Sequence, residues 1–280
     1  MIRFRFLVEN KTDAPPCTAE HGLSVFIETE EMEILFDAGA SDMYAENAAR
    51  KRVRLADADC CVISHGHYDH TGGVPLFTEI NEKAPVYIHK DAFGDFYGSH
   101  GGKIDSKPCG IMWDGEEQAQ VKPRLVLTDG PLWLTDNIVI SGTIPDISGC
   151  EPPEKFYVKE TDAEGKAVYR EDSLSHEQFL AARTEKGVFL FSGCSHKGII
   201  PAIEYAGELF PGERIAAVIA GMHLYCVSDE ERERAVEKIA GLNPDLVIPV
   251  HCTGIDAICM LKNRLKDRCS AATAGRKYEF

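Results

Sequence analysis

The chain has 280 residues, 44% of them hydrophobic, enough to bury one large core as a single domain and unlike the composition of a disordered chain. Its 45 Asp and Glu against 30 Lys and Arg give a formal net charge of −15, and no basic run is longer than Arg50-Lys51-Arg52. A nucleic-acid partner needs a basic face and is set aside, whereas a small phosphorylated molecule is not, because bound divalent metals would reverse the local field.

The opening MIRFRFLVENKTD alternates polar and apolar residues, unlike an export signal, and no later stretch reaches 18 apolar residues, so a cytoplasmic protein without membrane contact is expected. Arg3 to Val8, Leu23 to Thr29 and Met32 to Phe36 read as strands, with Glu30-Glu31 as the turn of a tight hairpin. Ser41 to Arg52 reads as a helix with Ser41 as N-cap, and Cys60 to Ile63 as a buried strand. Val74 to Ile80 is predicted helical, Val86 to His89 extended, and Asp91 to Tyr97 a second short helix.

From about residue 98 to 171 the pattern breaks up around Gly101-Gly102, Pro108, Pro131, Pro145 and Pro152-Pro153, with short strands at Leu125 to Leu127 and Ile138 to Ser141. This stretch is predicted to be an irregular insertion serving as a lid, a binding loop or a contact between copies of the chain in a homo-oligomer. A hairpin follows, Gln178 to Ala182 and Val188 to Phe191, turned by Glu185-Lys186-Gly187. Three strand-then-helix units complete the chain: Val188 to Phe191 with Ile199 to Leu209, Ile215 to Ile219 with Asp229 to Ala240, and Leu246 to Val250 with Ile255 to Arg264. The fold class is α/β, a sandwich with sheets inside and helices outside. Ten cysteines lack paired CxxC spacing, and Cys60, Cys61 and Cys259 lie in apolar runs, so most are read as buried thiols.

The segment Ser64-His65-Gly66-His67-Tyr68-Asp69-His70-Thr71-Gly72-Gly73 sets three imidazoles and a carboxylate within six residues, directly after a buried strand. These are ligands for zinc and similar metals. In a turn, His65 and His67 can converge on one ion while Asp69 and His70 face a neighbouring one. Lys197 and Gly198, at the start of a predicted helix, offer a cation and free N–H groups that could hold a phosphate. His223 follows a strong strand and is open to a role as ligand, proton donor or substrate-binding group. His21, His89, His100 and His176 lack ligand spacing and are read as structural or surface residues.

The HxHxDH run resembles the signature of the metallo-β-lactamase superfamily. Phe36-Asp37-Ala38-Gly39 is similar to that family's first motif, whose aspartate supports the metal loop through hydrogen bonds. Phe191-Ser192-Gly193-Cys194-Ser195-His196 and Val250-His251-Cys252-Thr253-Gly254 stand where the family places its remaining ligands. Together with Gly221-Met222-His223-Leu224, these segments resemble the branch of dihydropterin-methyl-ribofuranosylaminobenzene phosphate synthase-like proteins. The resemblance implies the metallo-β-lactamase αββα sandwich, interrupted by the insertion at about 98–171. It also implies two divalent metal ions, zinc first, with manganese or iron as alternatives. His65, His67 and His196 would hold the first ion, and Asp69, His70 and His251 the second. Where the superfamily commonly has a bridging aspartate this chain has Cys194, which makes His196 the preferred ligand and Cys194 an alternative.

The implied activity is metal-dependent hydrolysis of a small anionic substrate, a phosphate ester or pyrophosphate, with Asp69 orienting the attacking water and His223 donating a proton. Three alternatives stand beside it. One is a pterin-type synthase releasing pyrophosphate, another redox chemistry at a di-iron pair. The last is a non-catalytic, metal-loaded binding protein covered by the insertion.

Overall fold

The computed structural model describes residues 1–13, 15–146 and 150–280. Its first sheet runs, in spatial order, Lys277–Glu279, Arg3–Val8, Ser24–Glu28, Glu33–Phe36, Cys60–Val62, Val86–His89 and Leu125–Thr128. The second runs Leu132–Trp133, Ile138–Ile140, Phe179–Thr184, Gly187–Ser192, Ile215–Gly221 and Leu246–Val250. Each sheet starts as antiparallel hairpins and turns parallel where strands alternate with helices.

Side-chain alternation at period two explains the layering. Phe189 and Phe191 point into the apolar layer shared with Phe4, Ile27, Phe36 and Val62 of the other sheet. Their neighbours Val188 and Leu190 face outward onto Ile203, Val236 and Leu261 of the helices Ile199–Leu209, Asp229–Gly241 and Ile255–Leu265. Across the sandwich, Leu35, Cys61 and Ile88 pack outward onto Tyr44, Ala48 and Phe77 of the helices Met43–Lys51 and Val74–Ile80. The chain is therefore the expected αββα sandwich. The helix Asp229–Gly241 carries its own start signal, Ser228 and Glu231 each bonding the other's backbone N–H. Among the described residues no helix is long and apolar enough to cross a membrane.

Several expectations shift. The segment Asp91 to Tyr97 is a turn followed by the strand Phe96–Tyr97, because Gly94 breaks it and its end pairs with Tyr157–Thr161. Asp42, not Ser41, occupies the N-cap position of Met43–Lys51, and Ser41 Oγ accepts from the Met43 N–H at 3.2 Å. Cys259 is exposed, since it lies on the outer face of its helix, whereas Cys60 and Cys61 are buried. Within the stretch 98–171, Leu125–Thr128 ends the first sheet and Leu132–Trp133 begins the second, so residues 125–140 carry the chain between the two. A helix read as irregular sequence, Gly115–Val121, is capped by Asp114 and Glu117. Tyr157–Thr161 pairs with Phe96–Tyr97 on one side and Ala167–Glu171 on the other in a small extra sheet. Residues 147–149, inside the same stretch, lie outside the described residues.

Candidate metal centre

Five loops leave the carboxyl ends of parallel strands along one edge of the sandwich and converge. They carry Asp37 after Glu33–Phe36, Ser64 to His70 after Cys60–Val62, and Cys194 and His196 after Gly187–Ser192. His223 follows Ile215–Gly221, and His251 follows Leu246–Val250. Ligand sites favour such edges because the loops there are free to vary on a rigid frame. Asp37, Ser195, His223 and His251 take left-handed backbone angles (φ 57°, 52°, 49° and 47°), each turning the chain sharply off its strand. Such conformations are disfavoured for residues with a Cβ and persist where packing fixes them. Gly193 lets the two halves touch: a Cβ there would lie 2.1 Å from Ser64 Oγ.

The expected ligands come together as two adjacent groups. His196 Nε2 lies 3.3 Å from His65 Nε2 and 3.1 Å from His67 Nδ1. His251 Nε2 lies 3.1 Å from Asp69 Oδ2, and His70 Nε2 4.0 Å from Asp69 Oδ1. Cys194 Sγ stands between the groups, 3.2 Å from His70 Nε2 and within 4.8 Å of both the His65–His196 and the His70–His251 nitrogens.

Outer residues aim these rings. Asp37 accepts from Ser64 N–H (2.7 Å) and Ser64 Oγ (2.8 Å), and from His70 Nδ1 (2.7 Å). Because Ser64 Oγ donates to Asp37, it accepts from His65 Nδ1 at 2.9 Å, and His65 turns a bare Nε2 inward. His251 Nδ1 donates to Asn10 Oδ1 at 2.8 Å, leaving its Nε2 toward Asp69. This is the support that metal-binding imidazoles characteristically receive.

The charge balance is that of a cation site. Burial and then the neighbouring imidazoles hold His65 and His196 well below the ordinary histidine range, and burial takes His67 down to about 3. Three neutral rings with lone pairs converging need a cation to offset their mutual repulsion. His67 Nε2 and His196 Nδ1 are also buried without a hydrogen-bond partner. Burial opposes the Asp69 charge, but His70, His21 and His251 keep the carboxyl well below its usual range. Burial likewise opposes charge on His70, yet Asp37 and Asp69 push it up to about 9. The imidazole, thiol and carboxylate donors fit zinc-like divalent ions.

The centre floors a cavity of about 640 Å³. His223 Nε2 meets Glu154 Oε2 at 2.5 Å, and Tyr225 donates to the same oxygen at 3.1 Å. Burial lowers His223, but the Cys252 thiolate and then Glu154 outweigh it and raise the ring to about 10. Phe156, from the stretch read as an insertion, covers the floor with its ring 4.8 Å from His67 and 4.5 Å from His196.

Three residues at the centre carried no signal of their own in the sequence, and a fourth, Cys252, stood in the His251 motif without an assigned role. His21, read as structural or surface, has Nε2 3.2 Å from Asp69 Oδ2 and lines the cavity. Glu177 is buried and accepts from the N–H groups of His196 (2.5 Å) and Lys197 (2.8 Å). Glu154 and Cys252 both line the cavity. No spacing along the chain marks His21, Glu154 or Glu177. Lys197 is not available to a phosphate, because its Nζ is buried and bound to Ile144 O and Asp146 Oδ1, each at 2.8 Å. His176 is structural as expected, accepting from Gly66 N–H at 3.1 Å and stacking on Phe96.

A family model described as the metallo-beta-lactamase superfamily matches residues 17–251. The chain is 34% identical over 260 residues to an uncharacterized protein of Methanocaldococcus jannaschii, covering 92% of this chain and 93% of that one. It is 29% identical over 281 residues to the 7,8-dihydropterin-6-methyl-4-(beta-D-ribofuranosyl)-aminobenzene-5'-phosphate synthase of the same organism, covering 95% and 92% of the two chains. A crystal structure of a metal-dependent hydrolase of the beta-lactamase superfamily matches with TM-score 0.83 and 28% identity, over 100% of this chain and 99% of that one.

Proposed function

The chain belongs to the metallo-β-lactamase superfamily of metal-dependent hydrolases, and on that footing we propose that it hydrolyses a small anionic substrate, a phosphate ester or pyrophosphate, with two divalent ions. Zinc is the first choice, with manganese or iron as alternatives. The observation that carries the proposal is the convergence of His65, His67 and His196 beside Asp69, His70 and His251, four of which (His67, Asp69, His196 and His251) line one cavity. Bound ions would polarise the phosphoryl oxygen and make a water acidic enough to attack near neutral pH.

The chain's own residues divide the remaining work. Asp69, buried and ionised, orients the attacking water. His223 and Glu154 form a proton-transfer pair at the cavity wall, placed to protonate the leaving group. Phe156 keeps bulk water off the floor. Among the described residues the one lysine or arginine lining the cavity, Lys11, is held by Glu9 at 2.7 Å, so attraction of an anion falls to the ions, in keeping with the acidic chain.

The test is the His67→Ala variant with a panel of phosphate esters and pyrophosphates. Metal content and turnover should fall together, and full retention of either overturns the assignment.

A second reading is favoured by the synthase relative and by the cavity's apolar wall of Tyr68, Tyr225, Ile255 and Ile258. In it the same centre would help pyrophosphate leave while a pterin and a ribofuranosylaminobenzene phosphate are joined. Formation of a joined product from a dihydropterin pyrophosphate and that partner, without simple hydrolysis, would select it.

A further inference from the structure

His223 is built like the ligand histidines around it. Nε2 is held by Glu154 at 2.5 Å, while Nδ1 is buried and has no hydrogen-bond partner. The backbone leaves the end of Ile215–Gly221 at φ 49°, as His251 leaves the neighbouring strand at φ 47°. A carboxylate on one ring nitrogen, with the other nitrogen free and buried, is the pattern of an imidazole prepared for a metal.

Two sulfurs complete a donor set. A ring nitrogen of His223, Cys194 Sγ and Cys252 Sγ all lie within 4.8 Å of one another, and all three residues are buried yet line the cavity. The room for Cys252 is made by a glycine: a Cβ on Gly221 would stand 2.8 Å from its sulfur and 2.2 Å from Gly193 O. Cys252 Sγ rests against Cys194 O at 3.5 Å, which fixes it beside the other thiol.

We propose that Cys194, Cys252 and His223 form a further cation position, beside the His65–His67–His196 group, that takes a thiophilic divalent ion of the zinc class. One imidazole and two thiolates leave a fourth tetrahedral place open to the cavity. Cys194 links this position to the rest of the centre, and Glu154 orients the ring. The inference rests on the site being a metal centre; where this position is filled, His223 serves as a ligand and donation of the leaving-group proton falls to Glu154, its partner at the cavity wall.

The test is cobalt(II) loading of the full-length chain, read by metal content and by the near-ultraviolet sulfur-to-cobalt absorption. Wild type should show absorption of two thiolates, and Cys252→Ser should lose about half of it together with about one ion per chain. Cys252→Ala serves as the second variant, with circular dichroism to confirm folding. Unchanged metal content and absorption in a folded Cys252 variant overturn the proposal while leaving the metal centre standing. Should neither variant fold, wild-type absorption of a single thiolate overturns it instead. A wild-type chain that binds no cobalt overturns this proposal and the metal reading alike.

Discussion

At the scale of single residues, the centre is a set of side chains whose protonation is dictated by burial and by one another. His67, driven down to about 3, and His65 and His196, shifted the same way, are neutral in the folded chain and take up protons in the unfolded one below about pH 6.5. The unfolded state therefore binds more protons in acid, and stability rises with pH through this window. His70 and His223, raised to about 9 and about 10, act oppositely: their contribution is full below about pH 6.5 and fades as pH climbs toward those values. For the metal-free chain, unfolding in urea should show stability falling by roughly 1.4 kcal/mol per pH unit for each buried neutral histidine between pH 6 and pH 4. A flat profile there would mean that these rings are hydrated. The HxHxDH run was legible because its ligands are neighbours in sequence. His21, Glu154 and Glu177 were not, since each reaches the centre only through tertiary folding and none has a spacing that marks it, while Cys252 stood in the His251 motif without a role.

At the scale of elements, the segment 176–178 ties the two halves of the site. His176 accepts from Gly66 N–H, Glu177 from His196 and Lys197, and Gln178 donates to Ile63 O at 2.7 Å while its N–H bonds Ser64 O at 2.8 Å. Replacing Glu177 by Gln turns one acceptor into a donor facing a donor, leaving a buried N–H unpaired at a cost of about 1–3 kcal/mol. The Glu177→Gln chain should fold and bind metal about tenfold or more weakly in competition with a chelator. Unchanged affinity would reduce Glu177 to a packing residue. Strands and helices with clear period were predicted almost to the residue, Arg3–Val8, Val74–Ile80 and Leu246–Val250 among them. Asp91 to Tyr97 was not, because a short segment takes its conformation from its partner strand, here Tyr157–Thr161. Ala167–Glu171 and Lys277–Glu279 went unread for the same reason: each is a short strand stabilised by pairing and not by its own pattern.

At the scale of the whole molecule, the αββα frame sets the site's precision, because the metal-facing loops are anchored on strands locked by a shared apolar layer. Phe191 sits at its middle, with ring contacts to Phe4 at 5.3 Å and Phe36 at 6.3 Å. Phe191→Ala should lower stability by about 3–5 kcal/mol, measured by urea unfolding, with the remaining folded protein still binding metal. Loss of metal without loss of stability would show that the frame and the site are coupled differently. The superfamily was legible because its motifs fall at strand ends, and the family match and the synthase relative bear that resemblance out. The roles of His223 and Cys194 were not fixed by sequence, since they depend on which atoms face each other across the centre. Metal-dependent hydrolysis is put to its sharpest test by the hydrolysis rate of a phosphate-ester and pyrophosphate panel as zinc, manganese or iron is titrated into metal-stripped protein. It predicts that turnover of at least one substrate rises from background and saturates only after at least two ions per chain have bound. Full turnover without any added or retained metal, or none at any metal ratio across the panel, would contradict it.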